Sequence, residues 1–248
     1  IGIEVKIKDK VKKIYAEKEV ILSGGSINSP QLLMLSGIGD SDHLKEKGIA
    51  VIHDLKGVGK NLQDHLETYI QQECKTTDTL YKYTKLIPKV MAGIQWFLSR
   101  SGPCSHSFLE AGGFAKSSHD RKIPNIQFHF FPSFVINHGK VNASSHGYQL
   151  HASPNQPKSR GSITLNSSNP YDYPKILFNY LDHEDDLKQT RECIHVARKI
   201  LSQPSLAKYS GKEIGPGTEM RSDDDLNEYI KSNAETAYHP CGTLKMGV

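Results

Sequence analysis

The sequence contains no apolar run near the ~18 residues that a bilayer-spanning helix needs, no GxGxxG and no CxxC pair. The missing GxGxxG means that no complete dinucleotide-binding fingerprint can be read from it. Its four cysteines, Cys74, Cys104, Cys193 and Cys241, are scattered. Cys104 with His106 and Cys193 with His195 lack a second pair nearby, so reduced thiols are expected, with no disulfide frame and no metal site. The net charge of +4 is spread along the chain and gives no argument for nucleic acid. Lys6 to Lys18 is the densest basic cluster, but Ile7, Val11, Ile14 and Tyr15 interleave with it, as in strands with one solvated face. The first residue is not Met and the last motif stops one residue short of the end. The expectation is therefore a piece of a longer protein, with any targeting or membrane-contacting segment outside it.

What remains is enough, at 248 residues, for one large domain or two. Ile3, Val5 and Ile7 alternate with Glu4, Lys6 and Lys8, the period of a half-buried strand, and Val11 to Tyr15 returns after a turn at Asp9-Lys10. Val20, Ile21 and Leu22 read as a short strand running into Ser23, Gly24 and Gly25. Asn28 or Ser29 then caps a helix with Pro30 at its first position, which Gly37 and Gly39 stop. A strand, a glycine turn and a helix N-terminus present backbone N–H groups to a cofactor, although the same pattern describes an ordinary βα unit. Pro88 to Ser99 predicts a helix in which Trp96 packs into a core, and Gly102 to Gly113 a loop. Ile126 to Phe131 alternates as a strand, Gln127 and His129 opposing Phe128 and Phe130. The His-, Asn-, Ser- and Pro-rich residues 137–160 read as loop. Gly161 to Leu165 and Ile176 to Tyr180 read as strands about a turn at Asn169-Pro170. Asp182 to Ser202 is an amphipathic helix with Leu187, Ile194, Ala197 and Leu201 inward, and Ser222 with Asp225 starts another carrying Leu226, Tyr229 and Ile230.

The stretch YHPCGTLKMG, Tyr238 to Gly247, carries the strongest hint of chemistry. Pro240 pushes His239 toward an extended backbone, and Gly242 permits a turn or a close approach. An imidazole on such a corner suits proton transfer near neutral pH, and equally suits a hydrogen-bonded loop histidine. GVGKNLQDHLE, Gly57 to Glu67, gathers Asp64, His65 and Glu67, which read alone make a polar loop with a solvated acid.

Two of these stretches resemble the signatures of one family. GSINSPQLLMLSGIG, Gly25 to Gly39, resembles the second signature of the glucose–methanol–choline (GMC) flavin oxidoreductases, and YHPCGTLKMG the segment bearing their catalytic histidine, about two hundred residues later. GVGKNLQDHLETYIQQ, PNIQFHFFPS, SRGSITLNSSNP and NAETAYHPCGTLKMG are most similar to the choline-oxidising members, so the resemblance spans essentially the whole chain. It implies α/β plus α+β architecture: part of a doubly wound FAD-binding domain with an antiparallel-sheet substrate domain. The expected division is residues 1–66 as the later part of the FAD domain, 67–235 as the substrate domain and 236–248 returning to the FAD domain. The dinucleotide-binding glycines and a second catalytic His or Asn are expected outside the chain, leaving the isolated chain inactive.

The implied reaction is FAD-dependent oxidation of choline to betaine aldehyde, toward glycine betaine, by hydride transfer to the flavin. His239 is the implied catalytic residue, and Glu67, His65, His129 and Tyr238 the implied substrate-binding residues. Ser23, Gly24, Gly25, Ser29 and Pro30 are the implied cofactor-binding residues, with no metal. A quaternary ammonium has no N–H to donate, so an opposite charge such as Glu67 and an aromatic face such as Tyr238 are what recognition requires. The resemblance further implies an electron acceptor such as a quinone, peripheral membrane association and a mitochondrial inner-membrane location. A neutral-alcohol dehydrogenase of the same family and a non-catalytic flavin-binding relative are the alternative readings.

Overall fold

The computed structural model describes residues 1–109, 111–136, 140 and 143–247. In chain order the first elements are β1 (Gly2–Ile7), β2 (Lys10–Tyr15), α1 (Gly25–Leu35), β3 (Ile38–Gly39), α2 (Ser41–Glu46) and β4 (His53–Asp54). There follow β5 (Leu66–Cys74), α3 (Leu86–Ser99), β6 (Ala111–Ala115), β7 (Ile126–Phe131) and β8 (Gly147–Pro154). The last are β9 (Ser162–Thr164), β10 (Lys175–Leu177), α4 (Glu184–Leu201), β11 (Ser210–Gly215), α5 (Asp223–Asn233) and β12 (Glu235–Thr236). They fall into two compact units, residues 1–63 with 160–178 and 240–248, and residues 64–159 with 179–239. The two strand segments around Asn169-Pro170 thus belong with the first unit.

In the first unit, α1, α2 and the β9 segment share a small core of Met34, Leu44, Val58, Leu62, Ile163 and Leu165. The β1–β2 hairpin forms with Lys8 and Asp9 both at positive φ, the twist a two-residue hairpin turn requires. Its burial differs from expectation: almost every residue of both strands is exposed, because few of the described residues lie against either face. Val20 to Leu22 is not a strand. No described strand lies alongside to take its backbone hydrogen bonds, and Ile21 is 76% exposed.

Helix α1 begins earlier than its proline suggested, with Gly24 as N-cap and Pro30 inside it. Proline lacks the N–H that would bond to the carbonyl four residues back. That carbonyl, Ser26 O, instead accepts the Thr243 hydroxyl at 2.5 Å, and the Ser26 hydroxyl donates to Pro240 O at 2.8 Å. The helix thus tolerates Pro30 because the GTLKMG segment replaces the missing donor.

The second unit is built on an antiparallel sheet in the order β11-β5-β8-β7-β6, with β12 also pairing to β5. Alternation divides the sheet into two faces. On one, Ile70, Leu150, Ala152, Ile126 and Phe128 pack against Cys193, Ile194, Ala197 and Leu201 of α4 and Leu226 and Ile230 of α5. Helix α4 carries Glu184, Asp185 and Asp186 in its first turn and Arg198 and Lys199 in its last, complementing its dipole. Helix α5 opens on a full capping box between Ser222 and Asp225.

Two further expectations are corrected here. Residues 147–154, read as loop, form the central strand β8, buried along its whole length. Its polar Gln149, His151 and Ser153 face one way and Tyr148, Leu150 and Ala152 the other, so polarity masked a buried strand. The remainder of that reading includes residues 137–139 and 141–142, which lie outside the described residues. In α3 only Ala92 is buried, and Trp96, expected in a core, is 40% exposed with the Arg100 guanidinium 4.2 Å from its ring centre.

One histidine of the first unit sets a pH dependence. His43 Nε2 accepts the Leu165 N–H at 3.0 Å, so it must be unprotonated there. Burial, and then the nearby Lys47 charge, holds this imidazole below the ordinary 6.5. The folded chain therefore takes up this proton at a lower pH than the unfolded chain does. The contribution is complete above 6.5 and is lost as pH falls through the lowered folded value. In the full-length protein, urea midpoints at about pH 7.5 and about 5.5 should differ more for wild type than for His43→Gln, which keeps an acceptor without titrating. Equal losses in both proteins would remove His43 from the account.

Candidate active site

The site face of the second unit is the polar side of the same sheet. Glu67, Tyr69 and Gln71 on β5 lie beside Ser153, His151 and Gln149 on β8, which lie beside Gln127, His129 and Phe131 on β7. The register puts His129 directly against His151 and Tyr69 against His151. His65, two residues before Glu67, starts this row.

Asp64, only 4% exposed, assembles the entrance to β5. Its Oδ1 accepts the backbone N–H groups of His65 at 2.9 Å and His239 at 2.8 Å. Its Oδ2 accepts the hydroxyls of Tyr180 and Thr236. Burial, then the bond to Asp64, pushes the Tyr180 hydroxyl far up, so it stays a donor. Ala237 N donates to His65 O at 2.9 Å and Tyr238 N to Thr236 Oγ1 at 2.9 Å, so residues 236–239 are strapped along the start of β5. Tyr238 takes a left-handed backbone, φ +61°, which makes the corner that displays His239.

Hydrogen bonding orders the two imidazoles at this corner. His65 Nε2 lies 3.1 Å from the Asn155 carbonyl, which can only accept, so Nε2 carries the proton. His65 Nδ1 is then an acceptor, and it faces His239 Nδ1 at 3.3 Å. In the neutral pair His239 Nδ1–H donates to His65, which leaves the lone pair of His239 on Nε2. The rings meet edge to face, 5.3 Å apart, and His129 stands 6.4 Å from His239. Burial lowers the His129 pKa below the ordinary 6.5, against the opposing pull of the Glu67 carboxylate, so His129 is mostly neutral at pH 7.

Glu67 is 6% exposed and accepts from His151 Nδ1 at 2.9 Å. Tyr69, between Glu67 and Glu235, donates to Glu235 Oε2 at 3.0 Å. Burial and then the Glu67 charge push its hydroxyl pKa far up. The four residues His65, Glu67, His129 and His239 therefore come together in one unit. Tyr238 stands 69% exposed beside His239. Asp64, which the sequence grouped with His65 and Glu67 without giving it a role, and His151, which it did not single out, are further participants.

The cofactor candidates lie in the first unit. Ser23, Gly25 and Ser29 line an open cleft of about 660 Å³, along with Gly242 and Thr243. Gly25 has φ +78° and open space where a Cβ would be. Gly24 N donates to Ser29 Oγ at 2.9 Å, while Pro30 is buried in α1. Gly242, φ +95°, is required by proximity, since its Cβ would stand 2.3 Å from Asn61 O. Among the described residues no group of His, Cys, Asp and Glu is arranged to hold a metal, and all four cysteines are free.

Two family models, both described as GMC oxidoreductase, match residues 1–67 and 157–248. An oxygen-dependent choline dehydrogenase of Brucella ovis is 46% identical over 247 residues, covering 100% of this chain and 45% of the relative. The mitochondrial choline dehydrogenase of Homo sapiens is 47% identical over 247 residues, covering 100% of this chain and 42% of the relative. The chain thus spans less than half the length of these curated relatives. Among solved structures, a formate oxidase from Aspergillus oryzae superposes with TM-score 0.90 at 24% identity, over 98% of this chain and 47% of that one. A pyridoxine 4-oxidase gives TM-score 0.82 at 24% identity, over 100% of this chain and 44% of that one, and both likenesses concern the fold.

Asp64 gives the test of this geometry. Asp64→Leu leaves two backbone N–H groups and two hydroxyls without their acceptor and should lower stability by about 3 kcal/mol or more. Asp64→Asn should cost clearly less, because its oxygen still accepts both N–H groups and the hydroxyls can turn to accept. Chemical denaturation of the full-length variants measures both, and equal costs would contradict the assignment.

Proposed function

Since this chain belongs to the GMC oxidoreductase family, we propose that it forms part of an FAD-dependent dehydrogenase that oxidises choline to betaine aldehyde. The reading rests on the grouping of Glu67, a buried carboxylate, with the His65–His239 imidazole pair on one sheet face. The similarity to choline dehydrogenases along the whole chain supports it.

His239 Nε2 takes the hydroxyl proton of the alcohol, and the positive charge that develops is shared through Nδ1–H with His65, whose Nε2–H is fixed on a carbonyl. Glu67 attracts the trimethylammonium head and so fixes where the carbinol carbon lies, a proximity effect. His129, kept neutral, adds polarity without repelling a cation. Ser23, Gly25 and Ser29, with the N–H groups that open α1, suit the polar portion of FAD, and Pro30 shapes that helix. When bound, oxidised flavin would supply the acceptor for the hydride lost from the carbinol carbon. Tyr238 contributes an aromatic face toward the ammonium. A quinone acceptor, peripheral membrane association and a mitochondrial location belong to the same proposal. The location has support in the human relative, whereas the Brucella relatives are bacterial.

The first measurement is flavin bleaching of the full-length protein on anaerobic addition of choline or of 3,3-dimethyl-1-butanol, its uncharged counterpart. Choline should bleach at far lower concentration. Glu67→Gln should raise the choline requirement by about tenfold or more while moving that of the neutral alcohol little. Equal effects on both substrates would remove the cation site, and bleaching only by the neutral alcohol would replace the substrate.

A further inference from the structure

Strand β8 holds a chain of hydrogen bonds behind Glu67 whose polarity can be assigned atom by atom. Gln149 is fully buried and His151 is 7% exposed. The Val135 backbone N–H lies 2.9 Å from Gln149 Oε1, and an N–H can only donate, so the amide oxygen is fixed on that side. Gln71 Nε2 donates to the same oxygen at 2.9 Å and to the Val135 carbonyl at 3.1 Å. The Gln149 NH2 is thereby turned toward His151 Nε2, 2.6 Å away. His151 Nε2 must accept, so its one proton sits on Nδ1, which donates to Glu67 Oε1 at 2.9 Å. The Tyr69 and Phe131 rings flank the imidazole at 4.5 Å and 6.4 Å.

The consequence lies in the charge of the donor. An Arg or Lys in this place would hold the carboxylate equally well but would cancel its charge toward a third group. A neutral imidazole whose tautomer is locked orients the carboxyl by a hydrogen bond and adds no positive charge beside it. We propose that His151 is a positioning residue that holds the Glu67 carboxyl aimed without bringing a charge of its own, with Gln149 fixing its tautomer, and so sets the preference for a quaternary ammonium over a neutral alcohol. This rests on the reading of Glu67 given above.

The test uses the full-length, FAD-loaded protein, with tetramethylammonium as probe in calorimetry and with KM for choline and 3,3-dimethyl-1-butanol. His151→Leu should weaken tetramethylammonium binding by about tenfold or more and raise KM for choline to match, with a much smaller change for the neutral alcohol. His151→Gln keeps an amide but places it at the Nε2 reach, and should lose binding as Leu does. His151→Asn places the donor near the Nδ1 position and should retain most of it. The Asn and Gln pair keeps the test decisive if the Leu variant does not fold. Equal losses for both alcohols, or no difference between Asn and Gln, would overturn the positioning role. If Glu67→Gln itself leaves tetramethylammonium binding intact, the cation site fails, and the role of His151 falls with it.

Discussion

The second unit depends on one buried carboxylate. Asp64 accepts from donors on residues 65, 180, 236 and 239, four points distributed over most of the unit's sequence. A charge removed from water is strongly destabilising unless such donors surround it. Here two backbone N–H groups and two hydroxyls do so, with no Lys or Arg among its described partners. The arrangement can therefore only be made when the start of β5, the turn at Tyr180 and the segment 236–239 have all met. Until then Asp64 favours solvent, so the corner that carries His239 forms with the fold of the unit.

The sheet divides its two tasks between its faces. The face toward α4 and α5 is filled by aliphatic and aromatic side chains, and most of the unit's hydrophobic stabilisation is gained there. The opposite face is almost as buried yet polar, which is tolerable only because its groups satisfy one another. Glu67, His151, Gln149 and Gln71 form one such series, and His239, His65 and the Asn155 carbonyl another. Both series end on backbone groups of fixed polarity, and this fixes the direction of every proton between them.

Much of this was legible wherever periodicity is simple. The β1–β2 alternation, the β7 alternation through His129 and the apolar stripes of α4 and α5 all follow from side-chain period, and the Ser222–Asp225 box marked the start of α5. Strand β8 was hidden because Gln149, His151 and Ser153 are buried polar groups. The signal that could have found it was Tyr148, Leu150 and Ala152 at period two. Trp96 misled because an apolar stripe specifies a face to be covered without specifying what covers it. The early start of α1 was hidden because Thr243, over two hundred residues away, supplies the donor that Pro30 lacks. Asp64 stood out only as one acid of a polar loop and His151 not at all, because each matters through partners distant in sequence.

The strict division of the sheet has an evolutionary corollary. Adding or deleting one residue within β5 or β8 would turn every later side chain of that strand over, sending Gln149 and His151 into the hydrocarbon layer and Leu150 into the polar row. Such a change cannot be repaired by a neighbouring substitution. Length differences among members of this family should therefore accumulate in the connections between strands, while the strands themselves drift only by replacement. The spacing from Glu67 to Gln71 and from Gln149 to Ser153 should then change more slowly than the identity of most residues it separates.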